Sequence, residues 1–371
     1  MKFSISTTFY KRDFAVEDIY KQVLDQTHND WEWIVTDDFS EEHSAELLLL
    51  DICAQDSRVK YFPQSRKKEM YWNPQKGCSG NYVLQLDSDD YLYPRTLEVY
   101  NHLFLKHPEV AGMSCLSHTV NANDEWIEIQ GGGIYDSGEH NKFPYVPMGK
   151  AFKNVFPEFD NGVLKWYQQD TNIVRHIETI GKWLYIPRVL YKYYYSDTTI
   201  SRAPGRTQED YISIENERLF IESKFPQLDN PDQTTAFLYY HPIQDLARDF
   251  ALADFNIGKQ RKKVLYVKED IKVYEKQLLK ELFFDQDLYF NVNQNIKFDE
   301  IVVRINPETF NVLDSIIDKL RETNATTSIR FRLDIKNNIS ISSIHELLTN
   351  KFTGGYGWCS SGYESYFITA L

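Results

Sequence analysis

Three carboxylates, Asp87, Asp89 and Asp90, crowd the end of the apolar run in VLQLDSDDYLYP, residues 83–94. Like charges this close repel, and each ionised group prefers water. The spacing admits three readings. The first is a solvated turn. The second is a calcium loop with Asp87, Asp89 and Glu98 at positions 1, 3 and 12, but Leu92 stands where that loop needs glycine, and a strand precedes the cluster. The third is a divalent-metal site for a diphosphate. Mg²⁺ or Mn²⁺ takes oxygen ligands, typically one or two carboxylates with substrate phosphates and water. At a strand end Asp87 and Asp89 point the same way, so one could hold a ribose hydroxyl and the other the cation. A second acidic pair, Asp37 and Asp38 in TDDFS, also ends an apolar run, and there Asp38 and Ser40 could instead cap a helix.

The elements that must position these groups alternate as a βαβ fold does. FSIST, WEWIVTDD, VKYFPQ and NYVLQLD read as strands. AVEDIYKQVLDQ, SEEHSAELLLLDICAQD and PRTLEVYNHLFLKHP read as helices, the first turning Ile19, Val23 and Leu24 inward and the last taking Pro94 in its first turn. Parallel strands joined by helices bind ligands beyond their carboxyl ends. Both Asp-rich stretches fall at such ends. From about 110 to 205 the chain reads as irregular and aromatic, its length suggesting loops over a site and no further core. Gly131 to Gly133 lack the strand–turn–helix of a phosphate fingerprint. Helical patterns follow from about 206. A second α/β segment starts at KKVLYV and runs through a helix near 270–283, EIVVRI, a helix near 307–322, SIRFRLDI and a helix near 341–350.

Taken together, STTFYKRDF, VLDQTHNDWEWIVTDDFSEE and GNYVLQLDSDDYLYP resemble the nucleotide-sugar domain of family 2 glycosyltransferases. That family runs from a threonine–aromatic–basic loop through a Gln-Thr turn to Asp-Asp-x-Ser, then along a Gly-x-Tyr strand to Asp-x-Asp. The resemblance covers roughly residues 3 to 202. It implies a GT-A-like, Rossmann-like α/β domain at 1–205, followed here by a helical connection at 206–258 and a smaller α/β accessory domain at 259–371. By the same resemblance Thr8 and Tyr10 flank the nucleobase, and Asp37 and Asp38 supply the carboxylate that reads uracil or supports the nucleotide. Arg66, with Lys67, Lys68 and Lys76, lies where the family places basic residues near the diphosphate. Asp87 matches the ribose-side carboxylate, Asp89 the ligand to Mn²⁺ or Mg²⁺, and Asp90 a residue behind them. WYQQDTNIVRHIETIG resembles the family's Glu-Asp-x-x-x-x-Arg segment, so Asp170 matches the catalytic base, with Arg175 and Gly181 in step and Gln169 in place of the glutamate. A helix-starting aspartate is the plain alternative. LYKYYYSDTTIS resembles the stretch that carries a histidine in the family. This chain has none there, and Tyr195 or Ser196 falls near that place.

Composition sets the outer bounds. With 371 residues, 42 % of them hydrophobic, the chain can build two or three cores. A net charge of −13 disfavours broad nucleic-acid binding. The amino terminus is too weakly apolar for a signal peptide, and no run approaches a membrane span of about 20 residues. Four scattered cysteines suggest reduced thiols in the cytoplasm, which empties the triplets at Asn324 and Asn338 of glycosylation meaning. The leading reading is therefore a cytoplasmic, metal-dependent, inverting hexosyl- or pentosyltransferase. Its partners are a nucleotide-sugar donor, with UDP the expected nucleotide, and a saccharide or other hydroxyl acceptor. Two alternatives stand beside it. One is a nucleotide-sugar-binding protein without transfer. The other is a transferase acting on nucleic acid through the basic stretch 258–268.

Overall fold

The computed structural model describes residues 1–9, 15–37, 44–63, 77–130, 149–154, 177, 180–195, 236–237, 240–250, 260–268, 270–291, 296–323, 328–334, 340–351, 356–361 and 364–370. It divides into two units, Met1–Asp124 with Gln130–Tyr239, and Glu125–Ile129 with Tyr240–Leu371. The stretch expected to be a helical connection is thus split, since 240–250 belongs to the second unit.

In the first unit, β1 (Phe3–Phe9), α1 (Val16–Leu24), β2 (Trp31–Asp37), α2 (Ser44–Gln55), β3 (Val59–Pro63), β4 (Tyr82–Gln85), β5 (Tyr91–Leu92) and α3 (Thr96–Lys106) follow one another. They match the expected alternation, with two local corrections. Leu24 is 44 % exposed, and Gln22 takes the inward place beside Ile19 and Val23 because its carboxamide accepts a hydrogen bond from Leu92 N at 3.0 Å. Pro94 lies just before the N-cap, Arg95, and its carbonyl receives Thr27 N at 2.8 Å.

The larger correction concerns the region read as irregular. Among its described residues are β6 (Val110–Val120), β7 (Trp126–Gln130), β8 (Ala151–Lys153) and β9 (Lys182–Tyr194), with β10 (Ala236–Phe237) beyond. The sheet order is β10-β9-β6-β8-β4-β1-β2-β3, and β5 adds to β9. Every residue of β6 is buried, so this region is core. Its strand VAGMSCLSHTV mixes small and hydroxyl residues with apolar ones, and only pairing with β8 and β9 reveals it.

β1 pairs in parallel with β2 on one side and β4 on the other. Close approach of the β4 entry to β1 requires Gly80. A Cβ there would stand 2.7 Å from Ser4 N and 2.9 Å from Lys2 O. Below it, Glu32 is a buried carboxylate, bonded by Lys2 Nζ at 2.9 Å, Lys60 Nζ at 2.8 Å, Ser4 Oγ at 2.6 Å and Ser79 Oγ at 2.8 Å. Burial opposes its ionisation, but the donors from Lys60, Ser4, Lys2 and Ser79 outweigh burial and hold it well below the usual carboxylate range.

The second unit contains a 3₁₀ turn (His241–Ile243), α4 (Gln244–Arg248), β11 (Lys263–Val267), α5 (Val273–Leu282), β12 (Asp287–Tyr289), β13 (Glu300–Ile305), α6 (Pro307–Thr323), β14 (Ser328–Asp334), α7 (Ile341–Lys351), β15 (Tyr356–Ser361) and β16 (Glu364–Ala370). Its sheet runs β12-β11-β13-β14-β16-β15, parallel except for the last two strands. The smaller α/β unit expected from sequence is present, with β12, β15 and β16 added to it. Ile301, Val303, Ile305, Ile329 and Phe331 pack with Leu313, Ile317, Ile344 and Leu348 of α6 and α7. Asp249 is buried against Arg304, Arg332 and the Tyr266 hydroxyl, which ties the segment after α4 to the sheet. Among the described residues no helix is long and apolar enough to cross a membrane.

Glu32→Gln should cost about 3 kcal/mol, the low end for breaking a buried ion pair, because Lys2 and Lys60 are partly exposed. A carboxylate depressed by folding contributes fully above the unfolded pKa of about 4.3 and loses its contribution as pH falls toward the folded value. Melting curves should therefore show a steady gap between wild type and variant from about pH 8 to 5, closing below about pH 4. A gap independent of pH would assign Glu32 a role without charge.

Candidate active site

The parallel register brings three of the sequence-selected groups to one edge. Thr8 of β1 pairs with Thr36, and Phe9 pairs with Asp37, which closes β2. On the other side of β1, Ser6 pairs with Gln85, and Leu86 N donates to Ser6 O at 3.0 Å. Asp87 follows one residue later. Asp37 closes β2 on one side of β1, and Asp87 lies just past β4 on the other.

Asp87 and Asp89 do not alternate on a strand as expected. β4 ends at Gln85, and residues 87–90 form a turn closed by Asp90 N donating to Asp87 O at 3.1 Å. The turn separates the carboxylates by burial. Asp87 is exposed, Asp89 is half-buried and Asp90 is 3 % exposed. Asp90 accepts Tyr194 N at 3.0 Å and the Tyr191 hydroxyl at 2.9 Å. That same hydroxyl accepts Asp87 N at 3.2 Å. Burial, then the charges of Asp87 and Asp89, push Asp90 well above the usual carboxylate range against the two donors. Burial and the same carboxylates Asp90 and Asp87 push Tyr191 well above the usual phenol range. The crowding of charge is met by turning one carboxylate inward.

The chain beyond the turn is fixed by the end of α1. Gln26 Nε2 donates to Tyr93 O at 3.0 Å, and its Oε1 accepts Leu97 N at 3.2 Å. Thr27 Oγ1 donates to Glu98 at 2.7 Å, and Arg95 also pairs with Glu98. These bonds engage Glu98 in holding α3, which removes it from a calcium loop. The Gln-Thr pair of the sequence motif is thus a structural tie. Beside it, Tyr93 OH and His118 Nδ1 lie 2.7 Å apart, and His28 meets Met1 O at 2.9 Å. Both histidines are engaged in polar contacts within the fold.

Thr8, Asp37, Asp87 and Asp89 therefore share the carboxyl edge of β1, β2 and β4. Tyr10, Asp38, Arg66 and Asp170 lie outside the described residues, as do Ser40, Lys67, Lys68, Lys76, Gly131 to Gly133, Arg175 and Ser196. Gly181 is placed, and a Cβ there would stand 2.8 Å from Glu109 O at the start of β6. Sequence reading passed over Tyr191. The tyrosine-rich YKYYYSD carries this residue, but nothing local in it marks which tyrosine is buried. Among the described residues no three His, Cys, Asp or Glu side chains converge on a metal. A cation bound with a diphosphate needs only one or two carboxylates, and Asp87 and Asp89 fit that need as oxygen donors on an accessible turn.

Residues 4–160 match the model of "Glycosyl transferase family 2". Uncharacterized glycosyltransferases of Rickettsia conorii and Rickettsia bellii are 31 % identical over 148 residues and 35 % identical over 154 residues. Each match covers 39 % of this chain, and 23 % and 20 % of those relatives. The chain thus spans about a fifth of the length of the curated relatives it matches. Crystal structures of S. aureus TarS are similar at 14–16 % identity. The complex with UDP-GlcNAc gives a TM-score of 0.49, covering 77 % of this chain and 80 % of that one.

Gln26→Ala removes both ends of the tie and leaves Tyr93 O and Leu97 N buried without it. Urea unfolding should show a loss of about 2–3 kcal/mol at unchanged slope. A loss under about 0.5 kcal/mol would mean that water replaces the side chain.

Proposed function

We propose that this chain, whose residues 4–160 match the model of glycosyl transferase family 2 and carry an α/β sheet, transfers a sugar from a uridine diphosphate donor to an acceptor hydroxyl with inversion. The observation that carries this reading is the meeting of Thr8, Asp37, Asp87 and Asp89 on one sheet edge. Ligands of open α/β sheets bind at that edge. Thr8 and Asp37 stand on the side for the nucleoside, and Asp87 stands across β1 for the ribose. Asp89 would hold a Mn²⁺ or Mg²⁺ ion. The ion supplies positive charge against the leaving diphosphate.

Asp170 is assigned the role of general base on the family resemblance. It takes the proton of the acceptor hydroxyl as that oxygen bonds to the anomeric carbon. The bond from that carbon to the diphosphate breaks, and UDP leaves with the electron pair. The acceptor class is a saccharide or another hydroxyl compound. A cytoplasmic setting is the reading of the scattered cysteines, and burial raises the thiols of Cys78 and Cys115 to about 12, which keeps them unreactive.

UDP at about 100 times its dissociation constant should add roughly 2.7 kcal/mol to stability with Mn²⁺. A chelator, or Asp89→Asn, should remove most of that gain in a thermal-shift titration. Equal stabilisation by UDP in chelator would refute the metal assignment.

Asp170→Asn keeps shape and hydrogen bonding while removing the proton acceptor. Turnover should fall by about 10²–10⁴-fold with donor affinity little changed. A folded variant with near-normal turnover would exclude Asp170 as the base.

A further inference from the structure

Asp90 and Tyr191 touch no expected ligand position, yet both lie directly behind the groups that do. Tyr191 is 1 % exposed and sits on β9, paired with Leu92 of β5. Its hydroxyl has one proton to give and lone pairs to receive. The proton goes to Asp90 Oδ2 and a lone pair receives Asp87 N. Asp90 meets two donors, Tyr191 OH and Tyr194 N, so the position requires a side chain whose two terminal atoms both accept. An asparagine could take Tyr194 N on its oxygen only by turning its amide nitrogen to the Tyr191 hydroxyl, whose own proton would then lose its acceptor. The turn is thereby held at three points. Asp87 N rests on Tyr191, Asp90 N closes on Asp87 O, and Leu92 N is taken by Gln22 of α1.

We infer that Asp90 and Tyr191 are a positioning pair that keeps the Asp87–Asp89 turn preformed for a divalent cation and diphosphate. The inference rests on the donor reading above. Three carboxylates in four residues would otherwise relax apart, because extending the turn lowers their repulsion and exposes Asp90 to water. Each cation bound would then first have to gather the turn again. That cost falls on the metal-dependent part of binding. It does not fall on contacts of the nucleoside with the ends of β1 and β2.

The test uses the whole chain with UDP and MnCl₂ as probes. Tyr191→Phe removes the hydroxyl and keeps the ring. The Mn²⁺ concentration that half-saturates UDP binding should rise about tenfold or more, while UDP affinity in chelator stays within about twofold. In ligand-free protein, amide hydrogen exchange of the peptide 86–92 should quicken by a similar factor. Asp90→Ala, which removes both contacts, should do the same. The double variant should exceed neither single variant by more than about twofold, since both remove one arrangement. If the variants only melt earlier, with wild-type Mn²⁺ dependence and exchange, the pair is structural and the inference falls. If wild-type protein binds UDP without regard to Mn²⁺, the donor reading itself falls, and this inference with it.

Discussion

Backbone pairing of β1 with β2 on one side and β4 on the other is the constraint on which the candidate site depends. Parallel strands share a register, so the ends of these three arrive at one level without help from any ligand. The pairing in turn depends on what lies at the opposite edge. There Gly80 lets the β4 entry lie against Ser4, and the Glu32 carboxylate gathers Lys2, Lys60, Ser4 and Ser79. A slip by one residue would turn Trp33 and Ile5 out of the core and bring Glu32 onto the wrong face. One edge secures the register and the other uses it.

Buried carboxylates recur where elements must be joined, and each is satisfied by a different chemistry. Glu32 is met by two lysines and hydroxyls, Asp249 by two arginines and a tyrosine, and Asp90 by a tyrosine hydroxyl and a backbone amide. The first two have full cationic partners. Asp90 has none among the bonds described, and its nearest charges are the like charges of Asp87 and Asp89. A buried charge in that position is costly unless hydrogen bonds or a cation offset it. The turn at 87–90 thus differs from the two other clusters, where the buried carboxylate meets lysine or arginine.

In the second unit the parallel strands β12, β11, β13 and β14 are extended by the antiparallel pair β16 and β15. Its strands carry arginine on one side of the alternation and aliphatic residues on the other. Arg330 pairs with Glu300, and Arg304 and Arg332 with Asp249, while Ile301, Val303, Ile329 and Phe331 build the core under α6 and α7. Such a sheet can cover both faces with few apolar residues.

The alternation of strands and helices over residues 3–106, and again over 263–351, was legible in the sequence because apolar periodicity and caps are local properties. So was the placing of Asp37 at the end of β2 and of the Asp87–Asp90 cluster just past β4, since apolar runs stop there. Tertiary structure alone decided the rest. β6, β8 and β9 are strands because of partners far away in sequence, and a segment such as VAGMSCLSHTV carries too little alternation to announce this. Which of three adjacent carboxylates would be buried also had no local signal. The answer lay about a hundred residues away, in the hydroxyl of Tyr191 and the amide of Tyr194. Periodicity reports the neighbours that a residue has along the chain. Burial of a charge is set by the donors that folding brings to it.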